Sequence, residues 1–162
     1  MSIEVRDHIS IAEKLESFGV AAPNGLAILP FNLATATSKG ELRQHVESDT
    51  VRTLLLCNNI PHVEIFDESD QPPYLQQYGS DWFGPTLFIS AAVMLQNPHV
   101  LTVTLGIISS YLYDQFKGSK SGNASLNVIV QDEGGGCQAV IYDGPSEGLS
   151  EVADIVKALI AK

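Results

Sequence analysis

The sequence predicts one α+β domain with a small, mostly antiparallel sheet, and three observations favour this fold class. Residues 126–131 and 137–143 alternate side chains around the turn DEGGG, which is typical of a β-hairpin. Residues 149–161 then carry one apolar face, so hairpin and helix form a unit that covers one face of a sheet. A chain of 162 residues with 44% apolar and 17% charged residues can also bury a real core.

The N-terminal half is predicted to alternate helices with short strands. In chain order we expect a helix at 8–18, a strand at 26–30, a helix opening at Ser38, a helix at 50–58 and a strand at 62–66. Capping boxes start at Ser10 and Ser38, while Gly19 and Asn59 stand where helices end in a left-handed residue. Pro30 stops the first strand because proline cannot donate to the ladder.

Residues 84–116 form the most apolar segment, and Asn97-Pro98 divides it. Asparagine followed by proline is a strong helix start, so the segment predicts a central helical hairpin of residues 85–95 and 98–116. Each piece is shorter than the roughly 20 apolar residues that cross a bilayer. Three roles stay open for it: a buried core, an oligomer or partner surface formed by the 85–116 helices, and peripheral membrane attachment through residues 86–113. A flexible connector is expected at 118–125.

The charge of the chain is strongly acidic. There are 19 Asp and Glu against 9 Lys and Arg, a formal net charge of −10, and residues 53–116 contain no Lys or Arg. Nucleic-acid binding relies on basic patches that displace counterions, so this class of function is excluded. A partner with a basic or apolar surface is expected instead.

Cysteine spacing and the N-terminal sequence indicate the cytoplasm. Cys57 and Cys137 are far apart and match no metal motif, and MSIEVRDHIS lacks the basic and apolar regions of a secretory signal. We therefore expect both thiols to be reduced and buried.

The strongest candidates for chemistry are the acidic and imidazole side chains between residues 62 and 70. His62, Glu64 and Asp67 could hold a divalent metal for a small metal-assisted hydrolase, with Glu68 and Asp70 nearby. Their spacing matches no metal motif, and no nucleophile elbow or P-loop occurs. A solvated acidic loop is the simpler interpretation of these residues. We expect no cofactor, and the sequence favours a non-enzymatic protein.

Aromatic residues beside these acids predict a partner-binding loop. Tyr and Trp are frequent anchors of interfaces, and here they neighbour acids without bases. The candidate partner-binding residues are Asp67, Glu68, Asp70, Tyr74, Tyr78, Trp82 and Phe83. The alternative is a loop that folds back over the apolar hairpin.

The order of an apolar helix, a connector, two strands and a terminal helix loosely resembles small companion components of bacterial conflict and defence systems. Only the last 75 or so residues carry this resemblance, which implies an accessory role. The function predicted from the sequence is thus a non-enzymatic, acidic accessory or regulatory domain that binds a protein.

Overall fold

The computed structural model describes residues 1–75, 81–116 and 123–160, which form an α+β fold around one five-stranded sheet. Its strand order is β1-β7-β6-β5-β2, and of its four neighbouring pairs only β5–β6 is parallel. The predicted fold class is confirmed. These strands are β1 (Ser2–His8), β2 (Leu26–Leu29), β5 (Trp82–Ser90), β6 (Ala124–Gln131) and β7 (Cys137–Gly144).

Two further strands and five helices complete the described part of the chain. The short strands β3 (Gln44–His45) and β4 (Tyr74–Leu75) form a separate parallel pair. The helices are α1 (Ile11–Ser17), α2 (Glu47–Cys57), α3 (Ala91–Gln96), α4 (Val100–Gln115) and α5 (Leu149–Ile160).

Helices cover both faces of the sheet, because its central strands alternate two sets of apolar side chains. Leu87, Val128 and Val140 point to one face, where they pack with buried residues of α2, α4 and α5. Phe88 and Ile129 point to the other face, where the core includes buried residues of α1. Burial of the central strands on both faces is typical of a sheet between two layers.

The C-terminal hairpin and helix are confirmed. Leu126 lies opposite Tyr142 and Val128 opposite Val140, and the Asp132 N–H donates to the Gly136 carbonyl at 2.8 Å across the turn. Gly135 has a φ of 90°, a conformation that glycine adopts without strain.

Helix ends in the N-terminal half also agree with the sequence. The Ser10 hydroxyl accepts from the Glu13 N–H at 3.2 Å at the start of α1, and Gly19 follows with a φ of 75°. Asn59 has a φ of 56° after α2, as expected for a left-handed helix end.

The predicted helix at 85–95 is wrong, because residues 82–90 form strand β5 and only Ala91–Gln96 is helical. β5 is paired on both sides and most of its residues are buried, so its apolar run has no strand periodicity to distinguish it from a helix. Pro85 lies where the β5–β6 register shifts between Phe83 and Thr86, and such an irregularity tolerates proline inside a sheet. The second predicted helix is confirmed as α4.

Two other predicted elements are wrong. Residues 39–41 form one 3₁₀ turn, and the Glu41 carboxylate accepts from the Thr37 N–H at 2.8 Å, so no helix opens at Ser38. In place of a strand at 62–66, Val63 makes one isolated bridge to Ala27. Local bonds therefore hold the first segment, whereas the Val63 N–H donates at 2.8 Å to the carbonyl of Leu26, which is distant in the chain.

Strand β1 was not predicted, although Ile3 and Val5 alternate with Glu4 and Arg6 as in a strand with one apolar side. Cys57 is exposed, contrary to expectation, while Cys137 is buried, and both thiols are free. The predicted connector 118–125 lies largely outside the described residues, and its last two residues belong to β6.

Among the residues that the structure describes, no helix combines the length and the apolar character needed to cross a membrane.

Candidate functional site

The acidic segment is defined here as residues 67–70, and it lies on the surface. Asp67, Glu68 and Asp70 are exposed in and beside a 3₁₀ turn that the Asp70 N–H closes on the Asp67 carbonyl at 2.9 Å. Asp70 also forms an ion pair with Lys39. The predicted acidic surface is therefore presented to solvent.

Arg52 on α2 anchors the chain around this segment. Its guanidinium donates to the Asp49 carboxylate at 2.8 Å, to the Glu64 carboxylate at 3.2 Å and to the Gln44 amide oxygen at 3.1 Å. Only 15% of its side chain is exposed. A guanidinium with several charge-assisted bonds holds its partners in a fixed geometry, so Arg52 is a structural residue.

A second set of bonds joins the chain after the acidic segment to strand β3. The Gln44 amide donates to the Pro72 carbonyl at 2.8 Å, and its backbone N–H donates to the Pro73 carbonyl at 3.0 Å. The Gln71 amide donates to the Phe66 carbonyl at 3.1 Å. Residues 71–75 are thereby tied to the protein, and the Tyr74 hydroxyl donates to Asp49.

The candidate metal ligands are only partly assembled. His62 Nε2 lies 3.7 Å from Glu64 Oε1, while its Nδ1 lies 3.0 Å from the Ile60 carbonyl, and Glu64 is also bonded to Arg52. Across residues 1–75, 81–116 and 123–160, no three His, Cys, Asp or Glu side chains lie together in a way that could hold a metal ion.

His62 also lines a cavity of about 280 Å³ at the start of β2, where Gly25, Gln96 and Asn97 contribute to the wall. Amide and backbone groups surround a partly apolar interior. Its volume lies just below the range of about 300–1,000 Å³ that is typical of small-ligand pockets.

The predicted aromatic anchors differ in how much surface they present. Tyr74 is 47% exposed, but its hydroxyl is engaged by Asp49. Trp82 is only 7% exposed, and its indole N–H donates to the Glu47 carboxylate at 3.2 Å. Phe83 is half-buried near His45, and Tyr78 lies outside the described residues.

His45, in strand β3, lies near two aromatic rings, Phe31 and Phe83. Its imidazole stacks on Phe31 with ring centroids 4.3 Å apart, and its buried Nδ1 has no hydrogen-bond partner among the described residues. Burial lowers the pKa of His45, because the site disfavours the charged imidazolium.

An open groove lies between α2 and α4, with a volume of about 670 Å³. Its walls carry apolar and small side chains, and Val103 is 45% exposed. A Cβ placed on Gly106 would meet no atom within 4 Å, so the groove is open above the middle of α4. The residues that line this groove are Leu54, Asn58, Val103, Gly106, Ile107, Ser110, Tyr111 and Asp114.

The groove between α2 and α4, called the helical groove below, carries a carboxylate in its lining. Asp114 belongs to its lining, which contains no Lys or Arg in the described part of the chain. Burial first, and then the nearby Glu47 carboxylate, raise the pKa of Tyr111. On α2, Glu47, Leu54 and Asn58 are spaced at i, i+7 and i+11, which places them on one face of the helix.

Arg52, the basic side chain of α2, points away from the groove. At about 100° per residue, Arg52 points roughly 160° away from Leu54 around the helix axis. Its charge is bound to Asp49 and Glu64 on that other side. The groove therefore combines apolar walls with negative charge.

The sequence predicted that the helix at 98–116 forms a hairpin with a helix at 85–95, and this partner helix is wrong. The groove is walled by α2, and the predicted helix at 85–95 takes no part in it. The spacing of Leu54 and Asn58 places them on one face of α2, but no local pattern identifies α4 as the neighbour of that face.

Comparison of the chain with protein-family models, with curated proteins and with solved structures finds no match.

Proposed function

We propose that this chain is a non-enzymatic protein-binding domain that takes a basic partner with apolar side chains in the groove between α2 and α4. The observation that carries the proposal is an exposed groove with apolar side chains and one carboxylate, Asp114, in its lining. Exposed apolar surface bordered by polar residues is typical of protein-interaction sites.

The shape of the groove suits a helical segment of the partner. Leu54 and Ile107 offer apolar contact, while Gly106 and Ser110 leave room for a close approach. Helix-in-groove recognition places apolar side chains of one helix face into a groove of this kind. We expect the partner helix to carry an apolar stripe flanked by Lys or Arg.

Charge supports the same partner. Asp114 lines the groove, the Glu47 carboxylate lies near Tyr111 of that lining, and residues 53–116 contribute no Lys or Arg. The exposed carboxylates of the acidic segment, together with a net charge of −10, attract a basic partner over a longer range. Complementary charge speeds association and selects the partner more than it adds affinity.

The role that follows is that of an accessory or regulatory component, in line with the companion components that the C-terminal part of the chain resembles. We place the protein in the cytoplasm. The two free thiols support a reducing compartment, because exposed cysteines such as Cys57 are prone to pair or oxidise elsewhere.

A designed cationic amphipathic helix, with a Leu stripe flanked by Lys, tests the proposal by isothermal titration calorimetry. We expect saturable binding that weakens as salt is added, because charge steers the complex. Gly106→Trp should weaken binding by about tenfold or more, since the indole fills the groove.

Ala158→Trp is the matched control, because Ala158 is exposed on α5 and does not line the groove. It should leave the affinity unchanged. Equal binding by the Gly106→Trp variant, or binding of a Glu-for-Lys peptide as tight as that of the cationic peptide, would contradict the proposal.

A further inference from the structure

Strand β1 leaves one long side of the sheet open. Its seven residues pair with β7 along one side, and no other strand in the described residues pairs with its outer side. The backbone N–H and C=O groups that point outward are donors and acceptors for another strand. β1 contains no proline, and its register with β7 is uninterrupted from Ser2 to His8.

We propose that a second copy of this chain pairs with β1 in antiparallel orientation, joining the two sheets into one across a twofold axis. The inference goes beyond the proposed function and involves a different surface. The axis would pass at Val5, the central residue of the strand. In that register Ser2 of each copy lies opposite His8 of the other, so the whole strand is paired.

The charge pattern of β1 is complementary to itself in this register. With the axis at Val5, Glu4 of each copy lies opposite Arg6 of the other. Both residues point to the α1 side of the sheet, because their neighbours in β7 are Ile141 and Ala139. Opposite charges that face each other across strands stabilise the pair.

On the other side of the strand, this register places Ile3 of each copy opposite the exposed Asp7 of the other. Val5 lies opposite Val140 in β7, so it points to the side of the sheet that α5 covers, and it is 41% exposed. The two Val5 side chains would meet at the axis. β-branched pairs of this kind are favourable cross-strand neighbours.

Shifted registers are disfavoured. A slide of two residues keeps every side chain on its own face but places the axis at Glu4 or Arg6, so that two like charges lie directly opposite. Charged edge strands commonly prevent pairing with other chains. Here Glu4 and Arg6 have opposite charges and flank the central residue Val5. Two copies of β1 can therefore pair with opposite charges facing each other when the axis passes at Val5.

Within a single chain, Glu4 and Arg6 are already bonded to each other. Arg6 Nε donates to Glu4 Oε1 at 2.6 Å, and Nη2 donates to Oε2 at 3.0 Å, on the exposed face of the strand. Association would exchange the two pairs within strands, one in each copy, for two pairs between strands. The exchange desolvates little, because both side chains lie at the surface.

Sedimentation velocity over a concentration series, with the whole chain, tests the inference. The wild type should shift from monomer to dimer with rising concentration. Glu4→Arg and Arg6→Glu should each weaken dimerisation by about tenfold or more, because each change places two like-charge pairs across the interface. The double variant Glu4→Arg/Arg6→Glu restores opposite charges and should dimerise like the wild type.

Two controls separate this surface from others. Glu13→Arg makes the same change in net charge as Glu4→Arg, at an exposed position of α1, and should leave dimerisation unchanged. Gly106→Trp blocks the helical groove and should also leave it unchanged. A strictly monomeric wild type, a double variant that stays monomeric, or loss of the dimer in Gly106→Trp alone would overturn the inference without affecting the test of peptide binding.

Discussion

The two sides of helix α2 differ in their interactions. One side is bonded to other parts of the molecule, and the other borders open space. On the loop side, Arg52 is bonded to Asp49, Glu64 and Gln44, and these bonds hold the chain around the acidic segment. On the groove side, Leu54 and Asn58 border open space. A partner gains little from groups that are already bonded to one another, and it gains more from apolar surface that is still in contact with water.

In the predicted partner-binding loop, the carboxylates are exposed, whereas two of the aromatic side chains are buried or already bonded. Its carboxylates at Asp67, Glu68 and Asp70 are exposed, but Trp82 is buried and Tyr74 is bonded through its hydroxyl. The role of the loop as an acidic surface that attracts a partner stays a prediction. The apolar contact is more readily supplied by the groove.

The largest expected difference lies between two neighbouring leucines of α2. Leu55 is fully buried in the core, so Leu55→Ala should lower the free energy of unfolding by about 2–5 kcal/mol. Leu54 is half-buried at the groove, so Leu54→Ala should cost clearly less but weaken peptide binding. Urea denaturation and calorimetry measure the two effects, and equal losses of stability would mean that Leu54 belongs to the core.

The next effect concerns Arg52. Arg52→Met keeps the apolar part of the side chain but leaves Asp49 and Glu64 without their shared cation, and it should cost about 1–3 kcal/mol. Urea denaturation followed by far-UV circular dichroism gives this value.

Lys39→Met is the matched control for Arg52, because Lys39 also pairs with a carboxylate of the loop side but is well exposed. Exposed ion pairs contribute little, so this change should stay within about 0.5 kcal/mol of the wild type. If Arg52→Met is equally mild, the loop side is not held by the guanidinium.

The smallest effect is a pH dependence that arises beside the loop-side bonds. Burial holds the pKa of His45 below its value in the unfolded chain, so the unfolded chain takes up the proton more readily. The stability associated with neutral His45 is present above the unfolded pKa of about 6.5, and it is lost as the pH falls through the folded pKa. His45→Phe keeps the stacking on Phe31 and removes this contribution.

Melting temperatures of both proteins from about pH 7.5 to about pH 5.5 check this expectation, since that interval brackets the unfolded pKa of histidine. The wild type should lose more stability on acidification than His45→Phe. Identical slopes would show that His45 is not the group responsible.

Sequence reasoning succeeded where a pattern is complete within a short stretch. The hairpin of residues 126–131 and 137–143, the helix after it and the caps at Ser10 and Asn59 were all predictable, because neighbours in sequence decide them. It failed at residues 82–90, where burial on both faces removes the alternation that marks a strand.

Some features of the candidate surfaces are also visible in the sequence, and others depend on tertiary contacts. The acidic segment and the lack of Lys and Arg over residues 53–116 are visible in the sequence. The burial of Trp82 against Glu47, and the packing of α2 beside α4, depend on segments far apart in the chain. The sequence pattern alone could not place those residues together.

What the sequence by itself determined is the composition of the core, the break at Asn97-Pro98, the C-terminal hairpin with its helix, and the acidic character of the surface. Only the tertiary structure decided that β5 lies inside the sheet, that β1 forms its open edge and that α2 walls the groove. The physical reason is that local periodicity reports contacts between near neighbours. Strand pairing and helix packing are instead selected by the burial of apolar surface between distant segments.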